Sequence, residues 1–216
     1  HPQIHTVINL QDHEGETVLM KAVYKQHKKI IELLLACEQL DPNQANNQGK
    51  TPLMRAVELE NEALVKLFLD SPRVDPNCAN KEGYTVLMLA VAQCCPKMYL
   101  YLFSVQRGDK HRVTPEGVSL MGIAVRLYTE KKLKEIQSYL GESGGNLLGK
   151  DALGRTLLMH AAGSWNQDAA RWLIQQGAEV NAVSCLGETA VSMALEGVSR
   201  KYGKVVAYLW PLVQTI

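Results

Sequence analysis

Short apolar bursts alternate with polar turns along the whole chain. Leu19, Ala22 and Val23 fall at i, i+3 and i+4, the spacing of one buried stripe on a short helix. A polar stretch carrying Lys25, Lys28 and Lys29 separates it from a second burst, Ile30, Ile31, Leu33, Leu34 and Leu35. The couple then returns. Leu53 and Ala56 are followed by Leu64, Val65, Leu67, Phe68 and Leu69, and Leu87 and Ala90 by Met98, Leu100, Tyr101, Leu102 and Phe103. Each couple predicts two helices joined by a turn.

A fixed frame precedes each couple. Gly15, Gly49, Gly83, Gly117, Gly154 and Gly187 are separated by 34, 34, 34, 37 and 33 residues. Two residues after each glycine stands Thr17, Thr51, Thr85, Ser119, Thr156 or Thr189. Four after it stands Leu19, Leu53, Leu87, Met121, Leu158 or Val191, and seven after it always alanine, Ala22 to Ala194. Three before it stands Asp12, Asn46, Asn80, Thr114, Asp151 or Ser184, and six before it Asn9, Asn43, Asn77, His111, Leu148 or Asn181. The acid, amide or hydroxyl and the glycine predict a tight turn, and the Thr or Ser a helix N-cap. A period in this range describes units that bury their apolar faces only against their neighbours.

The segment Gln48-Gly49-Lys50-Thr51-Pro52-Leu53-Met54-Arg55-Ala56-Val57 resembles the ankyrin-repeat pattern D-x-x-G-x-T-P-L-H-x-A-A. Gln176-Gly177-Ala178-Glu179-Val180-Asn181 resembles the G-A-D-V-N close of that family. The resemblance covers nearly the whole chain. It implies an all-α solenoid of stacked helix–turn–helix units with projecting turns or short hairpins. On that frame residues 1–216 form a single ankyrin-repeat domain. Its repeats lie near 12–45, 46–79, 80–113, 114–150, 151–183 and 184–216, and 1–11 is the tail of a preceding repeat. Met20, Met54, Met88 and Met159 stand where the family has a histidine that hydrogen-bonds between turns. Methionine cannot donate, so that ladder is expected to be absent or rebuilt, with the side chains packing between repeats.

The repeats are unequal. The second is the most regular, with Pro52 at the first helical position. In the third, Cys94-Cys95-Pro96 occupies the inter-helix turn, and Ser104 to Val113 reads as an exposed charged finger containing Arg107, Asp109, Lys110, His111 and Arg112. The fourth is the most degenerate. Gly122 enters its first helix at a cost of roughly 1 kcal/mol relative to Ala, Leu133, Ile136, Tyr139 and Leu140 mark its second helix, and Gly141–Asn146 reads as its most flexible segment. In the fifth, Trp165 holds the place of the inter-helix glycine of the family. Trp165 and Trp172, seven apart on adjoining helices, are expected to pack in the core or as apolar surface cover, or else to form a convex patch. The apolar end, Val205 to Val213, predicts a last repeat without a polar outer face, covered by further protein or by a partner.

Composition narrows the chemistry. The formal net charge of +1 gives no global case for nucleic acid or an anionic membrane. Five cysteines at irregular spacing, Cys37, Cys78, Cys94, Cys95 and Cys185, read as reduced cytoplasmic thiols rather than a disulfide framework. No apolar run reaches the roughly 18 residues of a membrane span. No Cys-x-x-Cys or His-x-x-x-His spacing points to zinc, and no glycine loop to a phosphate. Cys94 or Cys95 with His111 lacks an orienting third group, so no catalytic residue is assigned and no cofactor is expected. Arg107-Gly108-Asp109 resembles an integrin-recognition tripeptide, which the cysteine usage argues against.

The resemblance implies a module that holds a protein partner on the concave face, formed by turn tips and the exposed side of the first helices. On those positions the chain places Tyr24, Lys50, Tyr84, Arg126, Leu153, Arg155 and Leu186. Tyr and Arg dominate interface hot spots. The adjacent tip residues Leu153 and Leu186 suggest an apolar spot. The rival expectation is a targeting domain of a larger enzyme or of a secreted effector acting in a host cytoplasm, with the catalytic part in flanking domains. A weaker rival is an anionic ligand held by Lys25, Lys28, Lys29 and the Arg107–Arg112 finger.

Overall fold

The computed structural model of the chain describes residues 7–105, 107–144, 146–196 and 203–213. Among the described residues there are twelve helices, and the chain divides into two compact units, residues 1–109 and 110–216. Among the described residues there is no strand, only isolated antiparallel bridges at Ala79–Thr85, Val113–Ser119 and Lys150–Thr156. Nor is any helix there long and apolar enough to cross a membrane.

The first unit contains α1 (Val18–Tyr24), α2 (Lys28–Ala36), α3 (Pro52–Glu58), α4 (Glu62–Asp70), α5 (Val86–Ala92) and α6 (Pro96–Ser104). Within it α1 packs on α2 and α3, α3 on α4 and α5, and α5 on α6. The second unit contains α7 (Leu120–Leu127), α8 (Glu130–Gly144), α9 (Leu157–Gly163), α10 (Gln167–Gln175), α11 (Ala190–Leu195) and α12 (Gly203–Val213). Here α9 is central, packed on α7, α10 and α11.

Each first helix is started as the sequence predicts. The Thr17 hydroxyl accepts from the Met20 amide at 3.2 Å, and Thr51, Thr85, Ser119, Thr156 and Thr189 repeat the bond. Thr17, Thr51, Thr85 and Thr156 are buried, where an unsatisfied amide is costly. The four methionines are at most 1 % exposed, so they fill the space between turn and helix.

The turns are built the same way. Asp12 Oδ1 accepts from the amides of Glu14 and Glu16, both at 2.9 Å, and Asn46, Asn80, Asp151 and Ser184 do likewise two and four residues on. Neighbouring turns are then joined by their backbones. Asn47 N donates to Glu14 O at 3.0 Å, Lys81 N to Gln48 O at 3.1 Å, Ala152 N to Glu116 O at 2.9 Å and Cys185 N to Leu153 O at 2.8 Å. The glycines serve both the turn and this rung. Gly49 has φ +75°, and a Cβ there would stand 2.6 Å from Lys81 N.

The segments after the second helices carry two further ladders in the first unit. Asn9, Asn43 and Asn77 each donate to a carbonyl and accept an amide one repeat on; Asn43, for example, bonds Arg73 O and Asp75 N, both at 2.8 Å. Arg73 and Arg107 plug the ends of α2 and α4. The Arg107 guanidinium reaches the carbonyls of Leu69 at 2.7 Å, Ser71 at 3.1 Å, Pro72 at 3.3 Å and Val74 at 2.5 Å. These are carbonyls that a helix end leaves without partners, and a cation there complements the helix dipole.

This corrects the reading of Arg107 as part of an exposed charged finger, while Asp109, His111 and Arg112 are exposed as expected. Ser104 ends α6, and Arg107 is half-buried in structural bonds that an integrin-type ligand or an anionic surface would have to break. Of the tryptophan readings, core packing holds for Trp172 rather than a convex patch. Trp172 is 1 % exposed and belongs to the core, while Trp165 Nε1 donates to Ala194 O at 3.1 Å. Trp165 does take the left-handed turn position, φ +53°, as do Gln26, Glu60 and Cys94.

Other segments follow their pattern only in part. In α2 only Ile31 is buried, with Leu33 74 % exposed. Leu133, Ile136 and Leu140 are buried as expected, but Tyr139 faces outward. Gly141, φ +70°, breaks α8; the side chains of 142–144 and the whole of residue 145 in the Gly141–Asn146 segment lie outside the described residues. In α12, Val205 and Leu209 are buried and Trp210 is half-exposed.

The double role of the glycines separates two costs. Gly187→Ala, at φ +78° with nothing within 4 Å of the added Cβ, is expected to lose about 1–2 kcal/mol from conformation alone. Gly49→Ala adds a backbone collision and is expected to lose about 2–4 kcal/mol. Urea unfolding of both variants checks the order, and an equal loss would mean that the rung tolerates the methyl group.

Candidate partner-binding face

Three columns line the side formed by turn tips and first helices. They stand one, six and nine residues after each repeat glycine. In the first unit they are Glu16, Lys21 and Tyr24, then Lys50, Arg55 and Glu58, then Tyr84, Leu89 and Ala92. The turn sets the first column and the capped helix the other two, so all three are held by backbone already bonded.

The first two repeats carry a linked charge network. Glu16 Oε1 accepts from Arg55 Nη2 at 2.9 Å and from Asn46 Nδ2 at 2.8 Å. Arg55 Nη1 donates to Glu58 Oε2 at 3.0 Å, and Glu58 Oε1 holds Lys50 Nζ at 2.5 Å. These side chains are mostly covered, so the pairs are less screened than exposed ones. Lys21 pairs with Asp12 at 2.8 Å, and that bond holds the Asp12 carboxyl below its usual range. Tyr24 is 62 % exposed beside the network, with Lys25 Nζ 5.5 Å from its ring centre. Lys28 lies 3.7 Å from Glu32, so the basic cluster near the turn is partly paired.

In the second unit the columns are Val118, Ile123 and Arg126, then Arg155, His160 and Gly163, then Glu188, Met193 and Glu196. Arg155 grips Glu188 with both ends, Nε to Oε2 at 2.7 Å and Nη2 to Oε1 at 2.6 Å, and Ser184 Oγ donates to the same carboxylate at 2.9 Å. The Arg155 bond holds Glu188 below its usual pKa. His160 is 4 % exposed. Its Nδ1 lies 2.7 Å from Arg126 Nη2 and its Nε2 3.0 Å from Asp151 Oδ2. A guanidinium only donates, so Nδ1 accepts and the proton sits on Nε2: the imidazole is neutral. Burial, then the Arg126 charge, lowers its pKa.

The residues expected from the sequence therefore divide. Tyr24 and Leu186, 62 % and 63 % exposed, present free apolar surface. Tyr84 and Leu153 are half-buried. Lys50, Arg126 and Arg155 are tied into the networks above. Glu16, Arg55, Glu58, Asp151, His160 and Glu188 complete those networks; the pairs Glu16–Arg55, Arg126–His160 and Arg155–Glu188 join neighbouring repeats, and the signal that finds them is complementary polar residues in columns one, six and nine. Burial and the Glu60 carboxylate push the Cys95 thiol up to about 11, the reverse of an activated nucleophile.

The family model described as ankyrin repeats in three copies matches residues 3–80 and 41–114, and the single ankyrin-repeat model matches 153–185. The fold is similar to the ankyrin repeat domain of Bcl-3, a member of the IkappaB protein family, with a TM-score of 0.71 and 22 % identity over 97 % of this chain and 88 % of that one. It is also similar to a chain in the structure of the Bd0816 predatory endopeptidase from Bdellovibrio bacteriovorus in complex with immunity protein Bd3460. There the TM-score is 0.69 and the identity 24 %, over 92 % of this chain and 99 % of that one. No curated protein matches by sequence.

The neutral His160 gives a pH dependence of known sign. Its folded-state pKa lies below the ordinary histidine value of about 6.5, so the unfolded chain takes up the proton first as pH falls. Its contribution to stability is complete above 6.5 and is lost as pH falls toward the folded value, with a slope of at most about 1.4 kcal/mol per pH unit. His160→Gln keeps one donor and one acceptor and is expected to remove this part of the slope. Urea unfolding of both proteins between pH 7.5 and 5 checks it; identical slopes would place the proton equilibrium elsewhere.

Proposed function

Because the chain belongs to the ankyrin-repeat family, whose repeats are protein–protein interaction modules, we propose that it holds a protein partner against the face of turn tips and first helices. The observation that carries this reading is the contrast on that face. In the first unit Glu16, Lys50, Arg55 and Glu58 are fixed by one another while Tyr24 stands exposed, and in the second Arg155 and Glu188 are fixed while Leu186 stands exposed. Exposed aromatic and aliphatic side chains in a fixed polar surround have the make-up of interface anchors. Arg155 and Lys50 act in this reading by holding the surface in shape, and Tyr84 and Leu153 add half-buried apolar area. Pre-formed turns and paired charges keep the ordering cost of association low.

The test is photocrosslinking from positions 24 and 186 in the source cell, with the captured protein identified and then titrated in purified form. Tyr24→Ala or Leu186→Ala is expected to weaken its binding about tenfold or more. Leu33→Ser, at an equally exposed site on α2, is expected to leave it unchanged. A loss with Leu33→Ser and none with the other two would move the interface to the second helices.

A further inference from the structure

The repeats bury the same rows of side chains, and each row is open in one repeat. Three residues after the glycine, Pro52, Val86, Leu120, Leu157 and Ala190 are buried, but Val18 is 45 % exposed. Eight after it, Val23, Val57, Val91, Val125 and Ala162 are each 0 % exposed, but Leu195 is 45 % exposed. Both rows are on the first helices, which pack on one another from repeat to repeat, α1 on α3, α3 on α5, α7 on α9 and α9 on α11. One row opens in the first repeat and the other in the last. The row at three therefore faces the preceding repeat, and the row at eight the following one.

The second helices agree. Fifteen residues after the glycine, Leu64, Met98 and Ala169 are at most 2 % exposed, and Ile30 of α2 is 46 % exposed. In the last repeat Trp210 of α12 is 51 % exposed. The backbone rung is open in the same two repeats. Its donor stands two residues before the glycine, and its acceptor one before it. Among the described residues the His13 amide has no acceptor and the Leu186 carbonyl no donor. A Cβ added at Gly187 meets nothing within 4 Å, whereas at Gly15, Gly49 and Gly117 it meets the amide of the next turn.

The first repeat presents Val18, Ile30 and a free donor, and the last presents Leu195, Trp210 and a free acceptor. These are the two halves of the interface that already joins the repeats, and one chain carries both. We propose that copies of this chain associate head to tail, the first repeat of one seated on the last repeat of the next, with the His13 amide donating to the Leu186 carbonyl. An occupant of another kind has to supply the missing row and the missing rung partner together. A second copy has both, in the register of every other repeat. The contact joins unlike surfaces, so each copy can take one neighbour on either side. It goes beyond the partner face proposed above and does not draw on it.

Sedimentation velocity of the purified chain is the test. The weight-average mass is expected to rise with concentration through the micromolar range and at least to double. Val18→Glu and Leu195→Glu each place a carboxylate in one half of the contact and are expected to weaken association by about tenfold or more. Mixing the two variants decides the geometry. One keeps the last-repeat half and the other the first-repeat half, so the mixture is expected to form one-to-one pairs and to stop there. Ile30→Glu and Trp210→Glu repeat the cycle on the second helices, should a first-helix variant lose its fold. A wild-type chain that stays monomeric, a variant that associates as the wild type does, or a mixture without pairs would each overturn the proposal. Association of these faces only with a different protein would do the same. The measurement needs the chain alone, so head-to-tail association can fail while the partner face stands, and the reverse.

Discussion

The amide of one turn donating to the carbonyl of the turn before it is the bond on which the rest depends. Each repeat here is two short helices with more apolar surface than they can bury between themselves. It becomes stable only when its neighbour lies at the distance this bond fixes. The bond in turn needs a glycine, because the donor amide arrives where a Cβ would stand. At Gly15, Gly49 and Gly117 that position is 2.5–2.6 Å from the amide nitrogen. The acid, amide or hydroxyl three residues earlier holds the turn in shape, and the Thr or Ser two residues later starts the helix from it. Pro115 marks the limit of the scheme. It stands at the donor position of its own turn and has no N–H to give.

What depends on one turn alone was legible in the sequence, because each turn spells its own conformation and does so six times. The caps and the buried methionines follow from that spelling. Pairing across repeats was harder. Glu16 and Arg55 stand 39 residues apart, which is one repeat plus five, so no single copy of the motif shows them together. Arg107 looked like surface because its neighbours are polar. Its partners are four carbonyls, and a carbonyl leaves no trace in a sequence of side chains. The trace that does exist is Arg73, 34 residues before Arg107 in the same role, and the matching Asn9, Asn43 and Asn77. Leu33 erred the other way. Its place in an apolar burst predicts burial, but burial in a stack needs a neighbour on the same side.

The two units meet the same backbone demands with different side chains. In the first, the position six before the glycine is always asparagine and the position five after it always methionine, so one solution is copied. In the second those positions hold His111, Leu148 and Asn181, and Gly122, Met159 and Ser192. Asn166 supplies part of what is missing. Its Nδ2 bridges the carbonyls of Val125 and Tyr128 at 2.9 and 2.8 Å, and its Oδ1 caps α10. Tyr128 is extended rather than left-handed, so the helix before it runs one residue longer.

A backbone satisfied by its own turns leaves the outward columns free to vary in chemistry without loss of the fold. The variation seen is not random cover. Arg155 with Glu188, and Arg55 between Glu16 and Glu58, fix long side chains that would otherwise lose rotamer freedom on contact with another molecule, a cost of up to about 2 kcal/mol for each such chain. An isolated surface ion pair is worth little to stability. A network of half-covered pairs has a clearer use in holding a surface still. Tyr24 and Leu186 then bring to any contact mainly their own area, and little of their surroundings has to be ordered when that contact forms.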